Sequence, residues 1–479
     1  MCRSMRYHIW TIGCQMNQAD ARYLAAQLER LGGQPVARAE DADLVILNTC
    51  VVRQQAEDRI YGRLSRVAAL KRERPERRVA VMGCLVGLGD ASALRERFAF
   101  VDVFMPPSDP SPLVAFLRGE EAAQGRLDEE RDRLFREVLQ AEDFHLPASS
   151  AGAVTAHVPI VLGCSHACTY CIIPYRRGRE HSRPPGEILD EVRQLAAQGV
   201  REVILLGQIV DRYGVDRHPP YRLAGLLRDV AAVDGLARVR FLTSHPSCLD
   251  DEIVEAVATT PKVCPHFEMP IQSGDDDILA RMRRGYTVAE YARRVDFIRA
   301  RIPGAAIHTD IIVGFPGETE AQFEGSLRVV ESLRLDKAHV AKYSVRPQTW
   351  AARHLADDVP PDVKEERRAR LDERQTEILA EKHAALAGTE VEVLVDGRDE
   401  KRGRWRGRTP RDEIVFFEGP GGDAAMPGRL VRVQIEWTGA HSLIGRAAPG
   451  GSAAGEPAPE GVSQERVDFA GRRRQDRQP

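Results

Sequence analysis

No uninterrupted apolar run in this chain approaches the roughly 18–20 residues that cross a bilayer, and the start enters a strand-like segment without a leader's charged-then-apolar pattern. No membrane segment is therefore expected, and a cytoplasmic setting is. Net charge is scarce too: 68 Lys and Arg against 71 Asp and Glu leave −3, so any nucleic acid must be met by a local basic surface and not by the overall field. Cysteine is sparse and odd in number, nine in 479 residues, which excludes a regular disulfide framework and leaves reduced thiols free for metal. No Gly-rich phosphate loop follows any apolar run, so a generic nucleotide-binding flavodoxin-like fold has no support. What remains, 43% hydrophobic and 29% charged, reads as an ordinary globular chain with room for about three domains.

The thiols are not scattered evenly. Cys164, Cys168 and Cys171 fall within the loop Cys164-Ser165-His166-Ala167-Cys168-Thr169-Tyr170-Cys171, directly after the apolar run 158–162 and Gly163. Three thiolates are one fewer than an iron–sulfur cluster or a structural zinc normally takes, so a cubane here keeps one iron open to a non-protein ligand. Two plainer readings stand beside this one: a zinc site with His166 folding back as fourth ligand, and three structural cysteines.

A second set is spread wider. Apolar runs at 7–12, 44–47 and 79–82 alternate with amphipathic stretches such as 21–31, a βαβ pattern that implies a parallel sheet. A cysteine stands just past each run, in Gly13-Cys14, Asn48-Thr49-Cys50 and Gly83-Cys84. The carboxyl ends of parallel strands share one edge, so the three thiols can meet there. Packing accounts for one such cysteine; three at equivalent places favour a second metal site, again with a count of three.

From residue 157 to 344 strand and helix patterns alternate six times, with strand candidates at 158–162, 203–206, 239–242, 267–271, 307–313 and 339–343. Six such units imply a partial barrel with its polar groups at the strand carboxyl ends. Gly207-Gln208, Ser244-His245, Gln272-Ser273-Gly274 and the stretch from Asp310 to Gly314-Phe315-Pro316-Gly317 lie there. Arg176, Arg177, Arg179 and Arg183 follow the cysteine loop, a position that favours phosphate or carboxylate binding over a solvated run. His245 and His266 read as packing histidines, and Cys2, Cys248 and Cys264 as structural or surface thiols. A charged amphipathic helix over 364–387 leads to short β-rich runs at 391–395, 414–417 and 430–437, the pattern of a small five-stranded barrel. Inside it, Arg404-Trp405-Arg406-Gly407-Arg408 interleaves cations with an aromatic, suited to backbone neutralisation plus base stacking.

These motifs resemble those of the radical SAM methylthiotransferases. The resemblance rests on the Cys164 loop; on Gly13-Cys14-Gln15-Met16-Asn17, Asn48-Thr49-Cys50-Val51-Val52-Arg53 and Gly83-Cys84; and on Thr243-Ser244-His245-Pro246, Pro270-Ile271-Gln272-Ser273-Gly274 and Arg284-Gly285-Tyr286-Thr287. It spans about residues 6–445, and Tyr61-Gly62-Arg63-Leu64 points to the branch that modifies tRNA adenosine. The resemblance implies an α/β architecture: an N-terminal methylthiotransferase domain with an open parallel sheet (1–118), a linker (119–152), a radical SAM partial (β/α)6 barrel (153–382), a TRAM-type, OB-like β-barrel that binds RNA (383–446) and a disordered tail (447–479). It further implies two [4Fe–4S] clusters. One, on Cys164, Cys168 and Cys171, binds S-adenosylmethionine (SAM) at its open iron and cleaves it to a 5′-deoxyadenosyl radical. The other, auxiliary, sits on Cys14, Cys50 and Cys84.

By the same resemblance Tyr170, Gln208, Ser273, Gly314 and Gly317 lie near SAM, and Arg404, Trp405, Arg406 and Arg408 meet RNA. The implied reaction adds a methylthio group at C2 of an N6-isopentenylated adenosine next to the anticodon, with no protein acid/base dyad. Its partners are tRNA, a flavodoxin or ferredoxin as electron donor and a sulfur or iron–sulfur source, for a monomeric enzyme. The rival readings are a sister enzyme acting on threonylcarbamoyladenosine or a ribosomal-protein aspartate, and a non-catalytic iron–sulfur RNA-binding protein. Ile209 and Asp211, where the tRNA branch usually has Asn, and Val345 and Gln348 depart from the family pattern.

Overall fold

The computed structural model describes residues 5–51, 54–89, 91–119, 152–419 and 426–452, without the side chains of 54–58 and 449–452. The expected linker (119–152) and tail (447–479) lie almost wholly outside these residues, as do Val52 and Arg53.

The N-terminal sheet has five parallel strands, β1 (Arg6–Ile12), β2 (Gln34–Pro35), β3 (Leu44–Thr49), β4 (Arg78–Gly83) and β5 (Val103–Met105), in the order β2-β1-β3-β4-β5. Period-two alternation sorts its residues. Leu44, Ile46, Ala80 and Met82 pack with Tyr7, Leu24 and Leu28 under helix α1 (Gln15–Arg30). Val45, Leu47, Val79 and Val81 pack on the other face with Ile60, Leu64 and Val67 of helix α2 (Gln54–Glu73). Burial on both faces is why these strands read as unbroken apolar runs. The edge strands β2 and β5, two and three residues long, are too short to register as a pattern.

The second domain carries β6 (Thr155–Pro159), β9 (Glu202–Leu206) and β10 (Arg238–Phe241) in one parallel sheet, and β11 (His266–Glu268), β12 (Ala306–Val313) and β13 (Lys337–Lys342) in another. A parallel bridge from Val239 to Val263, just ahead of β11, links the two into the six-stranded arc that the sequence implies. The run 158–162 is not one strand, however. After Pro159 the chain leaves the arc, and β7 (Val161–Leu162) pairs antiparallel with β8 (His181–Ser182). This small pairing closes the cysteine loop at its base. Gly163 (φ +69) is required there, since a Cβ would collide with the carbonyl of Arg179 while Cys164 N–H donates to Gly178 O at 3.0 Å.

A long helix (Pro361–Ala384) leads to a closed barrel of β14 (Glu390–Asp399), β15 (Arg404–Arg408), β16 (Ile414–Glu418), β17 (Leu430–Thr438) and β18 (Leu443–Ser452). β18 runs past residue 446, where the domain was expected to stop. The loop after β15 plugs the amino end of the six-stranded arc. Arg238 donates to Arg408 O at 2.6 Å, Arg240 to Pro410 O at 3.0 Å, and Arg411 pairs with Asp336 at 3.0 Å. Buried His266 and His308 lie at this junction, hydrogen-bonded ring to ring at 2.9 Å with Asp412 alongside. Burial pushes the pKa of both rings down, and His308 with the charges of Arg240, Lys337 and Arg408 pushes His266 down further.

Candidate functional site

Two sulfur-bearing groups stand out, one in each of the first two domains. Cys14, Cys50 and Cys84 follow β1, β3 and β4, adjacent strands in register, so their thiols converge at one edge of the sheet. The proximity of Cys50 lowers the Cys14 and Cys84 thiols, helped by the charge of Arg177, and that of its two neighbours pushes Cys50 up. Asn17 holds the start of α1, its Oδ1 3.3 Å from Cys14 N and its Nδ2 donating to Asn48 Oδ1 at 2.9 Å and Thr49 O at 3.0 Å. Cys50 and Cys84 are buried; Cys14 is exposed.

The other group needs no sheet. Cys164, Cys168 and Cys171 lie on one loop, with Cys164 and Cys171 packed against Ile173 and Ile209. Burial pushes Cys164 to about 11 and Cys171 to about 12. His166, the fourth ligand in a zinc reading, instead sets its ring against His245 (centroids 4.6 Å apart), with Nε2 3.9 Å from Cys248 Sγ. One residue next to this loop had no assigned role in the sequence: Arg284, buried, whose Nη1 donates to Cys168 Sγ at 3.3 Å while its Nη2 reaches Pro270 O at 3.2 Å. It carries the Arg284-Gly285-Tyr286 and Pro270-Ile271 motifs to the cysteines.

The residues expected around SAM fall into two groups. Tyr170 packs on Ile278, Met282, Phe315 and Tyr343, which joins it to the turn Gly314-Phe315-Pro316-Gly317. That turn is fixed by Gly314 N–H donating to Glu318 Oε2 at 2.6 Å and by Gly317 N–H donating to Asp358 Oδ1 at 2.6 Å. Gln208 is half-buried past β9, and Ser273 is fully buried with its Oγ accepting from Asp275 N–H at 3.3 Å. Asp211, one of the departures, lies below the mouth. It accepts from Ser244 Oγ at 2.9 Å and His245 N at 2.7 Å, and burial raises its carboxyl to about 7.

The interface between the two domains combines apolar packing with buried charge. Met16, Ala19, Tyr23 and Ala26 of α1 pack on Leu162, Leu206 and Leu242, at the carboxyl ends of the arc. Glu191 takes Arg22 (2.6 Å), Tyr23 Oη (2.9 Å) and Arg183 (2.8 Å); Asp20 takes Arg177 (2.9 Å). Stripping one partner from such a buried pair costs about 3–5 kcal/mol. Arg177 and Arg183 thus bind the chain's own carboxylates where the sequence favoured an external phosphate or carboxylate. Spacing alone shows a basic run; that half of it turns inward between domains is a tertiary fact.

On the C-terminal barrel, Arg406 leans on Asp396 at 2.7 Å and remains half exposed, Arg404 lies 3.8 Å from Glu418, and Arg408 pairs with Asp412 at 2.9 Å. Trp405 packs partly into the barrel core. Trp437 is 52% exposed, which alternation in β17 conceals: Val431, Val433 and Ile435 point inward, and a register shift after Ile435 turns Trp437 out.

A family model described as the Radical SAM superfamily matches residues 158–330, one described as Uncharacterized protein family UPF0004 matches 6–106, and a TRAM domain model matches 385–448. The solved structure of the radical SAM methyltransferase TsrM from Kitasatospora setae aligns over 73% of this chain and 77% of its own with TM-score 0.55 and 17% identity, a likeness of fold alone. A tRNA-2-methylthio-N(6)-dimethylallyladenosine synthase of Dehalococcoides mccartyi is 43% identical over 91% of this chain and 97% of its own length. The synthase of the same name from Chloroflexus aurantiacus is 44% identical over 92% of this chain and 91% of its own. With identity at that level along nearly its whole length, the chain belongs to the tRNA-2-methylthio-N(6)-dimethylallyladenosine synthases, a family of radical SAM enzymes.

Proposed function

We propose that the chain makes 2-methylthio-N6-dimethylallyladenosine in tRNA, adding CH3–S at C2 of the dimethylallylated base, with two [4Fe–4S] clusters and SAM. The observation that carries the reading is the pair of sulfur triads, one in each of two domains packed on each other through α1, with Arg177 of the second domain held by Asp20 of the first. The donor sets suit the groups assigned to them. Each triad offers soft sulfur ligands, and each has a buried guanidinium against it, Arg177 or Arg284, the counter-charge an anionic iron–sulfur cluster needs. Cys164, Cys168 and Cys171 would hold the cluster that, when bound, supplies the reductive cleavage of SAM. Cys14, Cys50 and Cys84 would hold the second, which offers an iron position for a non-protein sulfur.

The chain's own part is placement. Arg284 fixes Cys168, the Tyr170–Phe315 cluster walls the pocket assigned to adenine, and Asp211 with Ser244 and His245 shapes the mouth. The α1 contact buries apolar side chains between the domains. The proposal includes the division into domains at 1–118, 153–382 and from 383 to the end of β18, Gln208 and Ser273 beside SAM, and the C-terminal barrel holding tRNA through Arg404, Trp405, Arg406 and Arg408. It also includes a flavodoxin or ferredoxin as donor, a separate sulfur source and a cytoplasmic monomer. No helix among the described residues is long and apolar enough to cross a membrane. The test is anaerobic reconstitution with SAM, reductant and dimethylallylated tRNA, followed by nucleoside mass spectrometry. The 2-methylthio nucleoside is expected; product on a threonylcarbamoylated tRNA or a ribosomal-protein peptide instead would overturn the assignment.

A further inference from the structure

Arg177 belongs to the barrel by sequence and to the N-terminal site by position. It ends the short helix Ile173–Arg177, which begins just after Cys171, so one stretch of chain carries the last thiol of the barrel triad and then enters the neighbouring domain. Its side chain is 3% exposed and pairs with Asp20, itself 1% exposed, at 2.9 Å. Ser108 closes the trio, donating to Asp20 Oδ1 at 2.6 Å with its Oγ 3.3 Å from Arg177 Nη1. The preceding Arg176 lies over Gly87, three residues past Cys84, where a Cβ would come within 2.9 Å of its Cδ.

The hydrogen bonding around Arg177 is unfinished. One carboxylate neutralises this guanidinium, yet its charge also lowers the Cys84 and Cys14 thiols, and its Nε is buried with no partner among the described residues. A buried N–H without an acceptor is unfavourable, and a guanidinium with a donor to spare near two thiols suits an anionic sulfur group.

We propose that Arg177 is a positioning residue through which the barrel completes the N-terminal cluster site: docking of the two domains brings a fixed positive charge to the cluster on Cys14, Cys50 and Cys84 and sets its reduction potential. This rests on the reading of those cysteines as cluster ligands. The physical reason is simple. Reduction adds negative charge to the cluster, a buried cation favours the more negative state, and the Arg177 side chain is buried enough to escape most solvent screening. Asp20 acts in the opposite sense, holding the cation while offsetting part of its charge. The potential of the second cluster is thereby tied to a residue that only the docked barrel supplies.

The test uses full-length protein carrying Cys164→Ala, Cys168→Ala and Cys171→Ala, reconstituted so that only the N-terminal cluster is present, with its potential measured by EPR-monitored redox titration. Arg177→Leu is expected to shift the midpoint potential downward, Arg177→Lys to restore most of it, and Asp20→Asn to shift it upward. Shifts of opposite sign from two partners of one ion pair do not arise from general loosening. Should Arg177→Leu fail to fold because Asp20 is stranded, the double variant Arg177→Leu/Asp20→Asn removes the pair together and carries the same expectation of a lowered potential relative to Asp20→Asn alone. Unchanged potentials with about four irons retained in every variant would overturn the role of Arg177 and leave the cluster standing. No iron in the parent would overturn the cluster reading, and this proposal with it.

Discussion

The two sulfur triads hold the same number of thiols and reach it by different routes. Cys164, Cys168 and Cys171 are set by one loop, pinned at its base by the β7–β8 pairing. Cys14, Cys50 and Cys84 come from three strands and exist as a group only while β1, β3 and β4 stay in register. Their electrostatics differ as well. Burial raises the Cys164 and Cys171 thiols, whereas contact with Cys50 and the charge of Arg177 lower Cys14 and Cys84. A ligand set made locally survives tertiary damage that a set made by a sheet does not.

The largest break in the comparison comes from removing each triad in turn. Cys164→Ala, Cys168→Ala and Cys171→Ala together should leave about four irons and abolish deoxyadenosine formation. Cys14→Ala, Cys50→Ala and Cys84→Ala should also leave about four irons, yet deoxyadenosine should persist while methylthio product disappears. Iron assay and nucleoside analysis read both, and a second variant that still transfers a methylthio group would return those cysteines to packing.

A subtler break acts on the sheet alone. Gly83 has φ +104, and a Cβ there would meet the backbone of Thr49, so Gly83→Ala should destabilise by roughly 1–3 kcal/mol and displace Cys84. Iron should fall toward about four per chain with SAM cleavage retained, because the loop triad does not depend on β4. Full iron and an unchanged melting temperature would contradict the sheet's role.

Asp211 sharpens the comparison on the barrel side through pH. Burial pushes its carboxyl up to about 7 in the folded protein, against an ordinary value of 3.8, so the folded state holds its proton more tightly and stability falls as pH rises from about 4 to 7. Asp211→Asn should therefore raise stability at pH 8 by on the order of 1 kcal/mol, with the gain vanishing near pH 4. A melting-temperature difference that does not change with pH would contradict this linkage.

The smallest effect on either triad should come from the C-terminal barrel. Arg404→Ala with Arg406→Ala should weaken tRNA binding and flatten its salt dependence, and Trp405→Ala should remove a stacking contact of about 1–3 kcal/mol and cost stability as well, since that ring is partly in the core. Iron content should not move in any of them.

Much of the site was legible because the signals were local. The cysteine loop lies in eight consecutive residues, and the strand-end cysteines follow runs whose burial on both faces leaves an unbroken apolar trace, as in Leu44-Val45-Ile46-Leu47. Arg284 was not legible as a site residue, nor Trp437 as an exposed one. The first is joined to Cys168 across the barrel mouth, and the second is turned outward by a one-residue register shift that the alternation does not encode.

By itself the sequence determined the two triads, the six-unit arc and the small basic barrel, because ligand identity, apolar periodicity and glycine positions are written residue by residue. The tertiary structure alone decided that Arg177 leaves its own domain for the other's Asp20, that Arg183 and Arg22 share Glu191, and that Arg408 pairs with Asp412 against the barrel floor. An arginine's charge is fixed by its chemistry, but its partner is whatever carboxylate, carbonyl or sulfur the packing of separate domains leaves within reach, and no spacing along one chain specifies that.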